Sequence, residues 1–347
     1  MRRRLTAVDL FAGAGGLTVG LKKAGFRVVA GIESDPIASQ TYRANHPDVR
    51  LISEDIRGVA ARPLTRLSAL KGRQLDLLAG CPPCQGFSAL RRLNGGRRVL
   101  DKQNDLVLEF ARFVRALRPR AVMIENVPKL ATDRRLYELR RALENLGYTF
   151  KINVVDAADF GVPQRRRRTI AIGIRSRKLA PSFPRKARVH PTVADALKDL
   201  PRVGRSGDEL HDLAEHRSPK VEKLIAAIPK NGGSRSSLPK NRQLKCHRRT
   251  DGFFDVYGRM SWDDVAPTIT SGCTNPSKGR FLHPSANRAI TLREAALLQT
   301  FPRRYRFDMS KGKERAALMV GNALPPELIR RVGLALARTL KRLQEIE

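Results

Sequence analysis

Leu5-Thr-Ala-Val-Asp-Leu-Phe-Ala-Gly-Ala-Gly-Gly-Leu-Thr-Val-Gly20 is the stretch that decides the fold. Residues 5–10 form an apolar run of strand length. Gly13, Gly15 and Gly16 then predict a tight turn, and residues 17–24 have the composition of a helix. A strand running into glycines and then a helix lets backbone approach a ligand closely. The dinucleotide fingerprint is absent, because Thr18 stands where a third glycine at Gly-x-Gly-x-x-Gly spacing would be. A nicotinamide cofactor is therefore disfavoured.

Outward from this turn the first half alternates strand and helix. Strands are predicted at 27–32, 49–52, 75–79 and 121–125. Helices are predicted at 36–45, which has Pro at its start, at 104–117, and at 134–146, which is closed by Gly147. The alternation predicts a doubly wound, largely parallel α/β sheet. Strands at 150–155 and 169–174 follow with no helix between them, which predicts an antiparallel edge. Residues 176–287 are rich in Arg, Lys, Pro, Gly and Ser, with weak periodicity, and predict a second, irregular module. Order returns from Thr291, ending in a helix over 327–343.

Chemistry-bearing residues fall at the ends of the predicted strands. Glu33 ends the second, where a carboxylate accepts hydrogen bonds from ribose hydroxyls in open α/β sheets. Asp55 lies beyond the third. Together they describe a nucleoside site. After the strand at 75–79 comes Gly80-Cys-Pro-Pro-Cys-Gln-Gly-Phe-Ser88. A thioredoxin-like Cys-x-x-Cys would need a helix starting at the motif, and Pro83 and Gly86 make it a loop. A zinc site recruiting Cys246, His247 and Cys273 lacks a second Cys-x-x-Cys or a spaced His pair. A single nucleophilic thiolate at Cys84, with Cys81 a bystander, is the favoured reading. Glu125 ends the next strand, where a carboxylate beside a reactive cysteine would hold or donate a proton. In Gln164-Arg-Arg-Arg-Arg168, strand alternation predicts that Arg166 and Arg168 share a face, a pair suited to a phosphate or a base carbonyl.

Composition narrows the partner. The 347 residues carry 67 Lys and Arg against 33 Asp and Glu, a formal charge of +34. That surplus favours an anionic polymer, because each neutralised phosphate releases counterions. No apolar run approaches membrane-spanning length, and four cysteines make no disulfide framework in a chain this long. An intracellular, reducing setting is expected.

In their order, Asp-Leu-Phe-Ala-Gly-Ala-Gly-Gly, Pro-Pro-Cys-Gln-Gly-Phe-Ser, Glu-Asn-Val, Gln-Arg-Arg-Arg-Arg, Arg293-Glu-Ala-Ala-Leu-Leu-Gln-Thr-Phe-Pro302 and Gly321-Asn-Ala-Leu-Pro-Pro326 resemble the cytosine-5 DNA methyltransferase family over nearly the whole chain. The resemblance implies a Rossmann-like, S-adenosylmethionine-dependent methyltransferase sheet over 1–175 and a target-recognition domain over 176–287. Residues 288–347 would return to the catalytic domain. It implies transfer of a methyl group from S-adenosyl-L-methionine to carbon 5 of a flipped cytosine in duplex DNA, through a Cys84 adduct. Glu125, Arg166 and Arg168 would complete the catalytic set. Phe11, Gly13, Gly15, Gly16, Leu17, Glu33, Ser34, Asp55, Ile56, Pro82 and Asn322 would bind the cofactor, with no metal. Gln85, Ser88, Arg91, Arg97, Arg98, Gln164 and Arg280 would meet DNA. A bacterial, cytoplasmic, monomeric modification enzyme, with or without a cognate restriction endonuclease, is the implied setting.

Two departures stand out. Asp101-Lys-Gln-Asn104 has Gln103 where the family often has Arg, and Leu324 replaces a more common Val. Relatives that methylate transfer RNA carry Cys-Phe-Thr, whereas this chain has Ser271-Gly-Cys-Thr-Asn and a long module. An inactive DNA-binding relative is disfavoured by the intact Cys84, Glu125 and Arg166.

Overall fold

The computed structural model describes residues 4–67, 70–83, 106–213, 215–244 and 255–346. Cys84, Gln85, Ser88, Arg91, Arg97 and Arg98 lie outside the described residues, as do Gln103, Cys246 and His247. The chain divides into two units, one of Met1–Asp156, Arg167–Lys186 and Pro326–Glu347, the other of Ala157–Arg166 and Ala187–Pro325.

In the first unit β1 (Thr6–Leu10), β2 (Arg27–Ile32), β3 (Arg50–Ile52), β4 (Leu77–Gly80), β5 (Ala121–Asn126), β6 (Thr149–Asp156) and β7 (Arg167–Ile174) form one sheet in the order β3-β2-β1-β4-β5-β7-β6. The crossover helices are α1 (Gly16–Lys23), α2 (Pro36–Asn45), α3 (Leu106–Leu117) and α4 (Arg134–Asn145). β4 is buried along its whole length, as a central parallel strand covered on both faces must be. The strand order reverses between β1 and β4, and ligands of open α/β sheets bind outside the carboxyl ends at that point. β7 pairs antiparallel with both β5 and β6. The antiparallel strand is thus one in from the edge, and β6, the edge strand, runs with β5. The absence of a crossover was legible in the sequence; the insertion of β7 between its neighbours was not.

The second unit has little regular structure. Its helices are short: α5 (Val193–Leu197), α6 (Glu209–Asp212), α7 (Pro219–Ala227), α8 (Leu292–Leu298) and α9 (Lys313–Asn322). A small apolar cluster of Leu224, Ile225, Ile228, Leu238, Tyr257 and Leu282 anchors it. Residues 288–325 belong to this unit, where α8 packs against α5, α6 and α9. α10 (Pro326–Ile346) lies in the first unit. Gly20 of α1 faces it, and a Cβ there would lie 2.5 Å from Ile329 Cβ. Gly20 therefore serves close helix packing, not the ligand turn. Among the described residues no helix is long and apolar enough to cross a membrane.

Candidate active site

At the carboxyl end of β1 the turn takes left-handed backbone at Phe11 (φ 60), Gly13 (φ 54) and Gly15 (φ 90). Glycine adopts this without steric cost; Phe11 does not. A Cβ added at Gly13 would meet nothing within 4 Å, so space is open above the turn. Glu33, just past β2, clasps it: Gly13 N–H donates to Oε2 at 2.7 Å and Asp35 N–H to Oε1 at 2.8 Å. Burial raises the Glu33 pKa, with these two donors opposing. Gly16 and Leu17 are buried at the start of α1, and Ser34 is exposed beside Glu33.

Asp55 is exposed beyond β3, its Oδ1 accepting from Arg57 N–H at 2.9 Å. The adjacent Ile56 is buried, and its carbonyl accepts from Arg112 Nη2 at 2.6 Å, while Val59 accepts from Nη1 at 2.9 Å. Arg112 thus ties the Asp55 loop to α3. Beneath the turn, Asp9 is wholly buried. Its Oδ2 accepts from Thr18 Oγ1 at 2.7 Å, and Thr18 contacts Tyr42 Oη at 2.8 Å. Burial pushes the Asp9 pKa up to about 7.

The second cluster lies where β4, β5 and β7 meet. Glu125 is buried, and Arg168 Nε stands 2.9 Å from its Oε1. Residue parity explains the meeting. Gly80 pairs with Ile124 and Glu125 with Ile170, so Cys81, Glu125 and Arg168 project from one face of the sheet. Cys81, one residue past Gly80, stands beside Glu125 in the β4–β5 register. Burial first, then the charges of Glu125 and Asp9, push its pKa well above the ordinary thiol value. Asn126 is buried, and its Nδ2 donates to the Pro82 carbonyl at 3.0 Å. That bond fixes the backbone two residues before Cys84. Sequence reading singled out neither Asn126 nor Cys81 for a role. Counting parity from the two strand ends would have flagged Cys81 as a neighbour of Glu125.

Arg166 belongs to the second unit. It precedes β7 and is buried in the second unit, where Nη1 donates to the Ile269 carbonyl and Nη2 to the Gly321 carbonyl, each at 2.8 Å. Gln164 is fully buried, with Nε2 on the Leu298 carbonyl and Gln299 Oε1, and Oε1 accepting from Ile269 N–H. These bonds brace the loops around it. Arg280 pairs with Asp255 and donates to the carbonyls of Gly232, Gly233 and Arg259, which leaves it a clamp inside the unit. Asn322 is exposed at the end of α9.

Three comparisons bear on this arrangement. The family profile described as C-5 cytosine-specific DNA methylase matches residues 5–338. The Type II methylase M.HgiDII of Herpetosiphon aurantiacus is 36% identical, covering 97% of this chain and 96% of its own. The Type II methyltransferase M1.HphI of Haemophilus parahaemolyticus is 34% identical, covering 96% and 87%. Among solved structures, an Escherichia coli prophage-encoded protein described as a DNA modification methyltransferase superposes with a TM-score of 0.70 at 28% identity, covering 97% of this chain and 99% of that one. With the profile spanning the sheet, the glycine turn and the Glu125 cluster alike, the chain belongs to the C-5 cytosine-specific DNA methylase family and is a DNA cytosine-5 methyltransferase.

Proposed function

We propose that this chain methylates a cytosine flipped out of duplex DNA, with Cys84 as nucleophile and Glu125 acting on the base. The observation that carries the reading is the buried Glu125–Arg168 pair at the carboxyl edge of the sheet. The methyl donor of the family is S-adenosylmethionine, which supplies an electrophilic methyl group when bound. The first unit fits that group. Space is open over Gly13, the Phe11–Gly15 turn is held by Glu33, and Glu33 and Asp55 follow neighbouring strands as acceptors for ribose and adenine.

Carbon 5 of cytosine is a poor nucleophile. Addition of the Cys84 thiolate to carbon 6 makes it enamine-like, so that it can take a methyl group. Glu125 accepts from the base amino group and shares a proton with ring nitrogen 3, and that proton neutralises the charge thiolate addition places there. Arg168 fixes that carboxylate and counters its charge in a site with little solvent. A water molecule or hydroxide takes the carbon 5 proton, the freed electron pair re-forms the 5,6 double bond, and Cys84 leaves carbon 6 as the thiolate. A stacked base cannot be reached this way, so the cytosine leaves the helix. The second unit reads the sequence. A cytoplasmic setting and a restriction endonuclease of matching specificity belong to the same reading, supported by the Type II names of the two relatives.

The test is expression of wild type and Cys84→Ser in a host lacking cytosine methylation, followed by bisulfite sequencing of a resident plasmid. Protected cytosines in one short sequence context, present only with wild type, are expected. Soluble wild type that protects none, or Cys84→Ser that protects as many, overturns the reading.

A further inference from the structure

Cys81 stands three residues before the nucleophile, in a position that the chemistry above does not use. Its backbone N–H donates to the Leu10 carbonyl at 3.3 Å, which continues the β1–β4 pairing one residue past β4. Its side chain therefore keeps the parity of the sheet and points to the face that carries Glu125 and Arg168. Arg168 approaches Glu125 from β7 on one side. Cys81, beyond β4, approaches from the other, because β4 and β7 flank β5 in the sheet. Arg168 grips Oε1 from its own flank. A donor on the opposite flank adds a second point of restraint on the carboxylate plane.

We propose that Cys81 is a positioning residue for Glu125: its neutral thiol donates a hydrogen bond to the carboxylate and, with Arg168, sets the orientation in which Glu125 meets the cytosine ring. This rests on the reading that Glu125 acts on the base. The groups acting on the thiol are Asp9 from β1, Glu125 from β5 and Arg168 from β7. The two carboxylates and burial hold the proton on sulfur, so Cys81 stays a donor across the working pH range and does not compete with Cys84 as a thiolate.

The experiment compares Cys81→Ala, Cys81→Val and Cys81→Ser with wild type, in steady-state methylation of a duplex bearing the target site. Ala and Val lose the donor, Ala by leaving space and Val by filling it with methyl groups; Ser keeps a donor. Cys81→Ala and Cys81→Val are expected to lower kcat roughly 5- to 20-fold with KM for DNA little changed, the size of one weak hydrogen bond to a charged group. Loss of the donor also moves the Glu125-dependent limb of the kcat profile to higher pH, since the bond favours the ionised form. That limb is identified as the one absent from the residual activity of Glu125→Gln. Cys81→Ser is expected to restore both rate and limb. In the Glu125→Gln background, Cys81→Ala is expected to change nothing further. Wild-type rates in Ala and Val alongside a slow Glu125→Gln overturn the positioning role alone. So does a Ser variant no better than Ala. A wild-type rate in Glu125→Gln removes the Glu125 reading itself, and this proposal with it.

Discussion

Arg168 and Arg166 are two residues apart and do opposite work. Arg168 faces a carboxylate, Glu125, at the end of a parallel sheet. Arg166 faces two backbone carbonyls in a unit made largely of loops. The second unit repeats the Arg166 pattern in Arg280 and, most fully, in Arg259. That side chain is completely buried, and its five N–H donors go to the carbonyls of Ile225, Ile228, His283 and Ala286 and to Asn287 Oδ1 at 2.5–3.1 Å. Where strands pair, backbone satisfies backbone and an arginine is free to serve a reacting group. Where loops pack without strands, buried carbonyls need donors from side chains, and arginine supplies them. Part of the chain's basic surplus is therefore architecture.

The sharpest break in this comparison is chemical. Glu125→Gln keeps the shape of the side chain and removes its charge, leaving Arg168 without its ionic partner. Turnover is expected to fall by about 10²- to 10⁴-fold with DNA affinity little changed. Single-turnover methylation with radiolabelled donor reads this, and a loss under tenfold would show that the pair is structural, like the arginines of the second unit.

Arg259→Met is the counterpart there. It fills similar volume and leaves up to five buried acceptors unmade, each costing about 1–3 kcal/mol less whatever water recovers. A net loss of ~3–5 kcal/mol is expected, read as protection lost in hydrogen exchange across 225–287. Unchanged protection would mean that the carbonyl cage adds nothing to stability.

The pH dependence should differ in sign between two buried groups of the first unit. Burial and Lys22 push His46 down to about 4, and in the second unit burial pushes His283 to about 4 as well. The His283 ring Nδ1 accepts from the N–H groups of Ser285 and Ala286, which requires it unprotonated. The unfolded chain takes up these protons first, so both contributions are intact above about pH 6.5 and are lost as pH falls toward 4, by up to ~3 kcal/mol each. Asp9 runs the other way. Its folded value near 7 lies above the unfolded 3.8, so its contribution is full below 3.8 and is lost as pH rises through 7. Denaturation at pH 5, 6.5 and 8 is expected to show an acid limb that His283→Asn flattens in the second unit, and an alkaline loss that Asp9→Asn removes in the first. Identical pH profiles for wild type and Asp9→Asn would place an ionised carboxylate in that core.

The two regions also differ in how legible they were. The sheet was readable because each parallel strand is a short apolar run closed by a turn, and carboxylates at strand ends stand out in such a pattern. That pattern is what singles out Glu33, Glu125 and the glycine turn as candidates. Alternation along β7 carries past its first residue, since Ala157 N–H donates to the Arg166 carbonyl at 2.9 Å, but it says nothing of which carbonyls the guanidinium reaches. The second unit was opaque, since nothing local announces which carbonyl a distant arginine will reach. Gln164 and Arg280 look like DNA contacts in the sequence, and their partners lie up to 135 residues away. Asn126 went unnoticed because its bond to Pro82 depends on β4 and β5 being neighbours.

The smallest expected effect is a matched pair of helix caps. Asp35 caps α2 in the first unit, its Oδ1 accepting from Ile37 N–H at 3.0 Å and Ala38 N–H at 2.9 Å. Thr291 caps α8 in the second, where Oγ1 accepts from Glu294 N–H at 3.1 Å and Glu294 Oε2 accepts from Thr291 N–H at 2.7 Å. Each substitution by Ala is expected to cost ~1 kcal/mol as a cap. Thr291→Ala should cost more, about 2 kcal/mol, because Oγ1 also meets His211 Nδ1 at 2.9 Å and is buried, so that ring nitrogen loses its partner. The excess of Thr291→Ala over Asp35→Ala in denaturant midpoints, at constant slope, measures how far the loop-built unit relies on single side chains. Equal losses would show that water replaces the hydroxyl, and that the second unit is no more dependent on side-chain donors than the sheet.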